Sequence, residues 1–420
     1  VIGTRRRSVR TFHDLVDRIV MTDGIAVKVP LSCARAASIG VAWTAGALCA
    51  SLASAQTTTP PAAAVARADL AAAYLRIDKA YAAATLTDSA RAAINRQFDR
   101  STLSFFVGRF ANAIAAIDSA TVAISGASIS TPPAPAPRLV NGKAPSIARD
   151  AFLQRLAKLD SVGPLAQAFI SVSARVQLLV DTPSRERSAE FLNDPVRLAR
   201  DLTREVSVLE RGRDPYVGQS GDLWRVMGGA NGARIPFRMV APSAAATSTA
   251  PLGVLIALHG AGGDENMFID AYGQGILARM ALDANLIVVS PLANTFGLAP
   301  EHFDSLMTLL HSEYRIDDHR IFVLGHSMGA GMAARLAQVR PTQVAAAACL
   351  SGGAAVNVPN APPVLFIGAA LDPIIPARVV QAAASGTPTG TYRQLENEGH
   401  TLGVANGVRI AIPWLLARRP

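Results

Sequence analysis

From residue 254 onward the chain alternates short apolar runs with amphipathic stretches of helix length, a pattern that few folds accept. The runs lie at 254–258, 286–290, 321–324, 345–350, 364–367 and 392–395. Helical patterns fill 265–282, 301–314, 328–339 and 377–384, and a closing helix is expected over 408–417. A strand that reads as a continuous apolar run must be covered on both faces, which predicts a mostly parallel sheet between layers of helices. Two earlier runs, 223–227 and 235–240, flank the Gly-rich stretch 228–232 and predict a hairpin or adjacent antiparallel strands. Right-handed crossovers then bring the loops after the parallel strands to one rim, where ligands of such sheets bind. The expected fold class is α/β, a doubly wound sheet over 220–420.

Upstream of this region the period changes. Leu70, Tyr74, Ile77 and Tyr81 recur at helical spacing, as do Phe105, Phe106, Phe110, Ile114 and Ile117. A Pro-rich break at 131–137 interrupts the pattern, which returns at 146–160, 165–181 and 195–209. Residues 67–211 are therefore expected to form an all-α bundle of five to seven helices. No chemical constellation stands out within it. Before it, 56–66 reads as a Pro-containing linker. Residues 36–52 form an uncharged apolar run after Lys28 and Arg35, ending in Ala53-Ser54-Ala55. That order matches an export signal cleaved between Ala55 and Gln56, with 1–55 as signal and upstream segment and Met21 as a plausible start. A secreted or periplasmic protein without stable membrane insertion after cleavage is the expectation.

At 420 residues the length suits two or three domains, and 50% apolar against 17% charged residues excludes wholesale disorder. The formal charge of +9 invites a nucleic-acid reading. The cations, however, are nearly all Arg, are scattered among Asp and Glu, and lack interleaved aromatics, so no nucleic-acid partner is expected. Cys33 and Cys49 fall in the signal and leave Cys349 alone, so neither a disulfide within the mature chain nor a thiolate metal site is expected.

The chemistry concentrates on the rim. Gly325-His326-Ser327-Met328-Gly329 follows the run 321–324 and opens a helix. In that setting the glycines allow a sharp turn that lifts the serine hydroxyl above the sheet. A serine hydroxyl needs a base, and His400, on the loop after the last strand, is the histidine best placed to serve. Asp372, past the run 364–367, is the only aspartate between them in the chain, with Glu396 and Glu398 as fallback acids. His259-Gly260-Ala261-Gly262-Gly263-Asp264 follows the first parallel run, where an oxyanion-binding amide belongs. One donor is assigned to Ala261, with Gly262 in competition, and the other to Met328. Asp264 is expected to cap the next helix. His326 is expected to point away from the serine.

These motifs, L-H-G-A-G-G-D-E-N at 258–266, G-H-S-M-G at 325–329, L-D-P at 371–373 and G-H-T at 399–401, resemble those of α/β-hydrolases. The likeness is to the phospholipase/carboxylesterase and dienelactone-hydrolase-like branch, which borders the prolyl-oligopeptidase-like serine hydrolases. It covers residues 220–420. The resemblance implies a serine esterase with no metal or organic cofactor, acting on a small ester, and the signal pattern makes it a secreted one. A serine peptidase acting on short peptides is the alternative. A binding protein with an inactive hydrolase domain is the third reading. The interval 351–363 leaves no room for a cap between strands, so the site is expected to be open unless the helical bundle covers it.

Overall fold

The computed structural model describes residues 67–126, 139–182, 194–247 and 250–418. The expected export signal, the linker at 56–66 and the Pro-rich break lie outside them.

Among the described residues six α-helices precede the sheet: α1 (Arg67–Ala83), α2 (Asp88–Phe106), α3 (Phe110–Ser125), α4 (Pro145–Leu156), α5 (Ala166–Val176) and α6 (Pro195–Leu209). Their starts obey local chemistry. The Thr87 side chain accepts the Ala90 amide at the head of α2, and Asp194 accepts the Val196 amide at the head of α6. Pro145 and Pro195 sit in first turns, where the missing N–H has no partner to lose. The aromatic stripe read across 105–117 is split between two helices, because Gly108 turns left-handed (φ 73°) and sends α3 back along α2.

The helices fall into two groups with separate cores. Ile77, Tyr81, Ile94, Phe98 and Ile117 of α1–α3 pack together with Leu402 from the far end of the chain. Phe152, Leu156, Val172, Val176, Leu202 and Val206 of α4–α6 pack around Tyr216. The stripes therefore face different partners. The first group meets the carboxyl end of the chain, and the second meets the edge of the sheet, where the Ser171 hydroxyl accepts the Val226 amide.

Among the described residues the sheet has eight strands: β1 (Gly221–Gly228), β2 (Arg234–Ala241), β3 (Leu252–Leu258), β4 (Leu286–Pro291), β5 (Ile316–His326), β6 (Ala346–Leu350), β7 (Val364–Ala369) and β8 (Gly390–Leu395). Their order is β1-β2-β4-β3-β5-β6-β7-β8. β1 and β2 form the antiparallel hairpin, β2 lies antiparallel to β4, and β4, β3 and β5–β8 run parallel. Burial follows the period of two that a pleated strand imposes. Val254, Ile256, Val323, Cys349 and Phe366 enter the core on one face. Leu255, Ala257, Leu324, Ala348 and Ile367 enter the other.

The remaining helices are α7 (Met267–Asp270), α8 (Tyr272–Asp283), α9 (Ala293–Phe296), α10 (Glu301–Glu313), α11 (Met328–Val339), α12 (Ala377–Ser385) and α13 (Val404–Leu416). The single helix expected at 265–282 is thus broken. Tyr272, Gly273, Gln274 and Gly275 all take positive φ, and the Asp78 carboxylate of α1 accepts the amides of Gly273 and Gln274 there. β5 starts upstream of the apolar run because its polar first half still pairs, Ile316 lying opposite Leu252. Residues 351–363 pass from β6 to β7 without a helix.

Strand β1 is pinned by a buried ion pair. Arg225 donates two 2.6 Å bonds to Glu313 of α10, and its guanidinium lies 3.7 Å from the Tyr216 ring centroid. Removing one member leaves a buried charge alone, so Glu313→Ala should destabilise the protein by about 3–5 kcal/mol. Urea unfolding followed by circular dichroism reads this, and a loss under about 1 kcal/mol would show that the pair is dispensable.

Candidate active site

Residues 325–329 make the turn between β5 and α11. Ser327 stands at φ 54°, ψ −115°, a conformation disfavoured for any residue with a Cβ. The turn closes because neither flank carries a side chain. A Cβ on Gly325 would lie 2.0 Å from the Gly329 carbonyl oxygen, and one on Gly329 would lie 2.0 Å from that of Leu258. The hydroxyl of Ser327 consequently stands at the carboxyl rim.

His400 reaches it from the loop after β8. Its Nε2 lies 2.9 Å from Ser327 Oγ, and its Nδ1 lies 2.7 Å from Asp372 Oδ2. The other Asp372 oxygen accepts the amides of Ile374 and Ile375, which fixes the carboxylate plane. With Nδ1–H donated to the carboxylate, Nε2 is left to accept from the serine. Both His400 and Asp372 are buried. The fallback acids lie elsewhere. Glu398 accepts from Tyr81, Arg91, Asn95 and Asn406, while Glu396 accepts from Gln394 on the surface.

His259 and His326 are both buried, and burial pushes both imidazoles below their ordinary range, holding them neutral. His259 donates from Nδ1 to the Gly260 carbonyl and accepts the Ala293 amide at Nε2, shaping the loop after β3. His326 makes no hydrogen bond to Ser327, yet it does more than point away. Its Nε2–H donates to the backbone carbonyl of His400 at 2.8 Å, and its Nδ1 accepts from the Tyr272 hydroxyl at 2.8 Å.

Gly260, Ala261, Gly262 and Gly263 line one pocket with Ser327 and His400. The Gly263 amide is committed to the Gly260 carbonyl, and the Ser327 amide to that of Leu350. The Met328 amide opens α11, where a helix has no internal acceptor. Asp264 accepts the Asn266 amide and so stabilises the turn just before α7. The pocket, about 150 Å³, is roofed by the first helical group, with Leu70, Tyr74, Phe98, Phe105, Phe106 and Ile117 among its walls. The bundle thus covers the rim, the alternative that the sequence left open.

The helical segment also carries site chemistry that sequence reading missed. Asn95 Oδ1 accepts the Gly399 amide at 2.8 Å, and Asp99 Oδ2 accepts the His400 amide at 3.1 Å. Arg91, Asn95 and Asp99 recur every four residues, which was the available signal, but polar residues at that spacing usually mark a solvated face. Asp99 is nearly inaccessible, and burial pushes its carboxyl up to about 7, opposed by the His400 amide and imidazole and aided by Asp372 and Glu398.

Residues 294–397 match the serine aminopeptidase (S33) family. A comparison with curated proteins finds no match. Among solved structures, the chain is similar to the S-formylglutathione hydrolase FrmB of Staphylococcus aureus, with 16% identity and a TM-score of 0.39 over 47% of this chain and 98% of that one. It is similar to an S-formylglutathione hydrolase of Agrobacterium tumefaciens, with 16% identity and a TM-score of 0.40 over 48% and 97%. It is also similar to Est1E of Butyrivibrio proteoclasticus, with 12% identity and a TM-score of 0.38 over 47% and 99%.

Because the folded-state value for Asp99 lies above the ordinary carboxyl value of 3.8, the native protein binds the extra proton between about pH 4 and 7. The contribution of Asp99 to stability is therefore lost as pH rises through that window. Asp99→Asn has no proton to lose. Its stability relative to the parent should grow by about 1 kcal/mol per pH unit from pH 4 to 7. Denaturant titrations at each pH test this, and parallel curves would refute the assigned shift.

Proposed function

We propose that the sheet-bearing half of this chain is an α/β-hydrolase and that the protein is a serine esterase cleaving carboxylic esters through an acyl-enzyme. The observation that carries the reading is the unbroken hydrogen-bond chain Ser327–His400–Asp372, set on a strained turn beside the glycine-rich loop 260–263. In this reading Ser327 Oγ attacks the ester carbonyl while His400 Nε2 takes its proton, and Asp372 stabilises the imidazolium that forms. The amides of Ala261 and Met328 receive the developing oxyanion, with Gly262 the alternative donor on the same loop. His400 returns the proton to the leaving alcohol, and water, activated in the same way, releases the acid.

The pocket supports an apolar acyl group as the recognised part. Its walls are mainly aliphatic and aromatic, and the carboxylates on them are occupied: Asp270 by Arg238, Asp264 by the Asn266 amide. A second reading, a serine peptidase acting on short peptides, is favoured by the match to the aminopeptidase family over 294–397. The nucleophilic machinery would serve both, and a paired panel of esters and aminoacyl amides separates them. Export of the protein remains part of the proposal and rests on the sequence pattern that ends at Ala55.

Fluorophosphonate should label the protein at Ser327, and Ser327→Ala should abolish both labelling and hydrolysis of nitrophenyl esters. Asp372→Asn should cut kcat by about 10⁴ by leaving the wrong tautomer of His400. Unchanged hydrolysis in Ser327→Ala ends the proposal. Substrate trends provide a second test. Each methylene added from acetate to butyrate is worth up to about 0.8 kcal/mol on full burial, so kcat/KM should climb roughly two- to fourfold per step. Phe105→Ala should flatten that climb, and a parent enzyme indifferent to acyl length would remove the roofed pocket from substrate choice.

A further inference from the structure

Three consecutive residues of the loop that carries His400 are held by three residues of α2. Arg91 pairs with the Glu398 carboxylate at 3.1 Å, Asn95 accepts the Gly399 amide and Asp99 accepts the His400 amide. The holders lie four residues apart, so they form one stripe along the helix, and the loop runs beside that stripe in step with it. The Asn95 amide group is used fully: the two hydrogens of its Nδ2 are shared among the Tyr81 hydroxyl, Glu398 and the Asn397 carbonyl. The fit is too close for any side chain at residue 399, where a Cβ would come within 2.1 Å of Asp99 Oδ2.

The opposite side of the His400 backbone is fixed as well. Its carbonyl accepts from His326, which accepts from Tyr272, and Tyr272 begins the left-handed turn that Asp78 of α1 holds. Both backbone polar groups of His400 therefore end on elements that the first helical group braces. Neighbouring positions of the same helix, Phe98, Ser101, Thr102 and Phe105, face the substrate pocket.

We propose that Asn95 and Asp99, with Arg91, are positioning residues for His400, so that the hydrolytic machinery is complete only when helix α2 is docked on the rim. The inference rests on the esterase reading for its catalytic consequence but not for its geometry. Neither Asn95 nor Asp99 is assigned contact with the reacting atoms. They act by limiting where the imidazole can sit, and a displacement of about 1 Å at such a group is enough to cost on the order of 10²-fold in rate.

The test uses the full chain with Asn95→Ala, Asp99→Ala and Asp99→Asn, assayed on a nitrophenyl acetate too small to depend on the pocket walls. Asp99→Ala and Asn95→Ala should lower kcat ten- to hundredfold with KM within about twofold, while a single cooperative unfolding transition persists. Asp99→Asn, which keeps an acceptor oxygen, should restore most of the lost kcat. Amide hydrogen exchange of the peptide carrying 398–401 should speed up at least tenfold in the two alanine variants, a readout independent of activity. Parental kcat in Asp99→Ala, unchanged exchange at 399–400, or an equal loss in Asp99→Asn would each overturn the proposal. Activity surviving in Ser327→Ala would instead condemn the esterase reading, and the exchange data would still report on the clamp.

Discussion

An imidazole held between a hydroxyl and a carboxylate is the interaction around which this molecule is arranged. Two short hydrogen bonds through His400 join groups from three different loops, and each loop sits at the carboxyl end of a parallel strand. The sheet supplies rigidity because its strands are packed on both faces, and the loops inherit their positions from it. The strained backbone at Ser327 persists for the same reason: β5 and α11 leave the intervening turn no relaxed alternative.

Around this relay, burial decides which groups can change charge. Buried His259 and His326 stay neutral and serve as fixed donors and acceptors. Glu398 sits beside an arginine and within a dense set of donors, which keeps a second carboxylate off the imidazole. Asp99 is the exception, an acid whose burial costs the ionised form more than its single backbone donor returns. An acid in such surroundings is a strained component retained where a backbone amide has to be held.

Much of the sheet was legible because buried parallel strands have a compositional signature that tolerates little else. The runs from Val254 to Ile367 appear as strands, and the turn around Ser327 falls where its glycines put it. The helical half was harder to read. Its apolar stripes announced helices but not their partners, so one bundle was expected where two groups with separate cores formed. Gly273 and Gly275 broke an amphipathic pattern that looked continuous, because Asp78, far away in sequence, satisfies the turn they make. The polar stripe of α2 could not be distinguished from a wet surface until its partners near the end of the chain came into view. Local periodicity reports that a face exists, and only tertiary structure says what it meets.

The contacts between α2 and the His400 loop span about 300 residues of sequence. During synthesis the roof is made well before what it must clasp, so the two cannot meet until the sheet that lies between them in sequence has left the ribosome. Contacts of such long sequence separation also close slowly. A nascent chain that has been made only as far as Glu396 would hold Ser327 without His400, and on the esterase reading its serine would have no base to activate it.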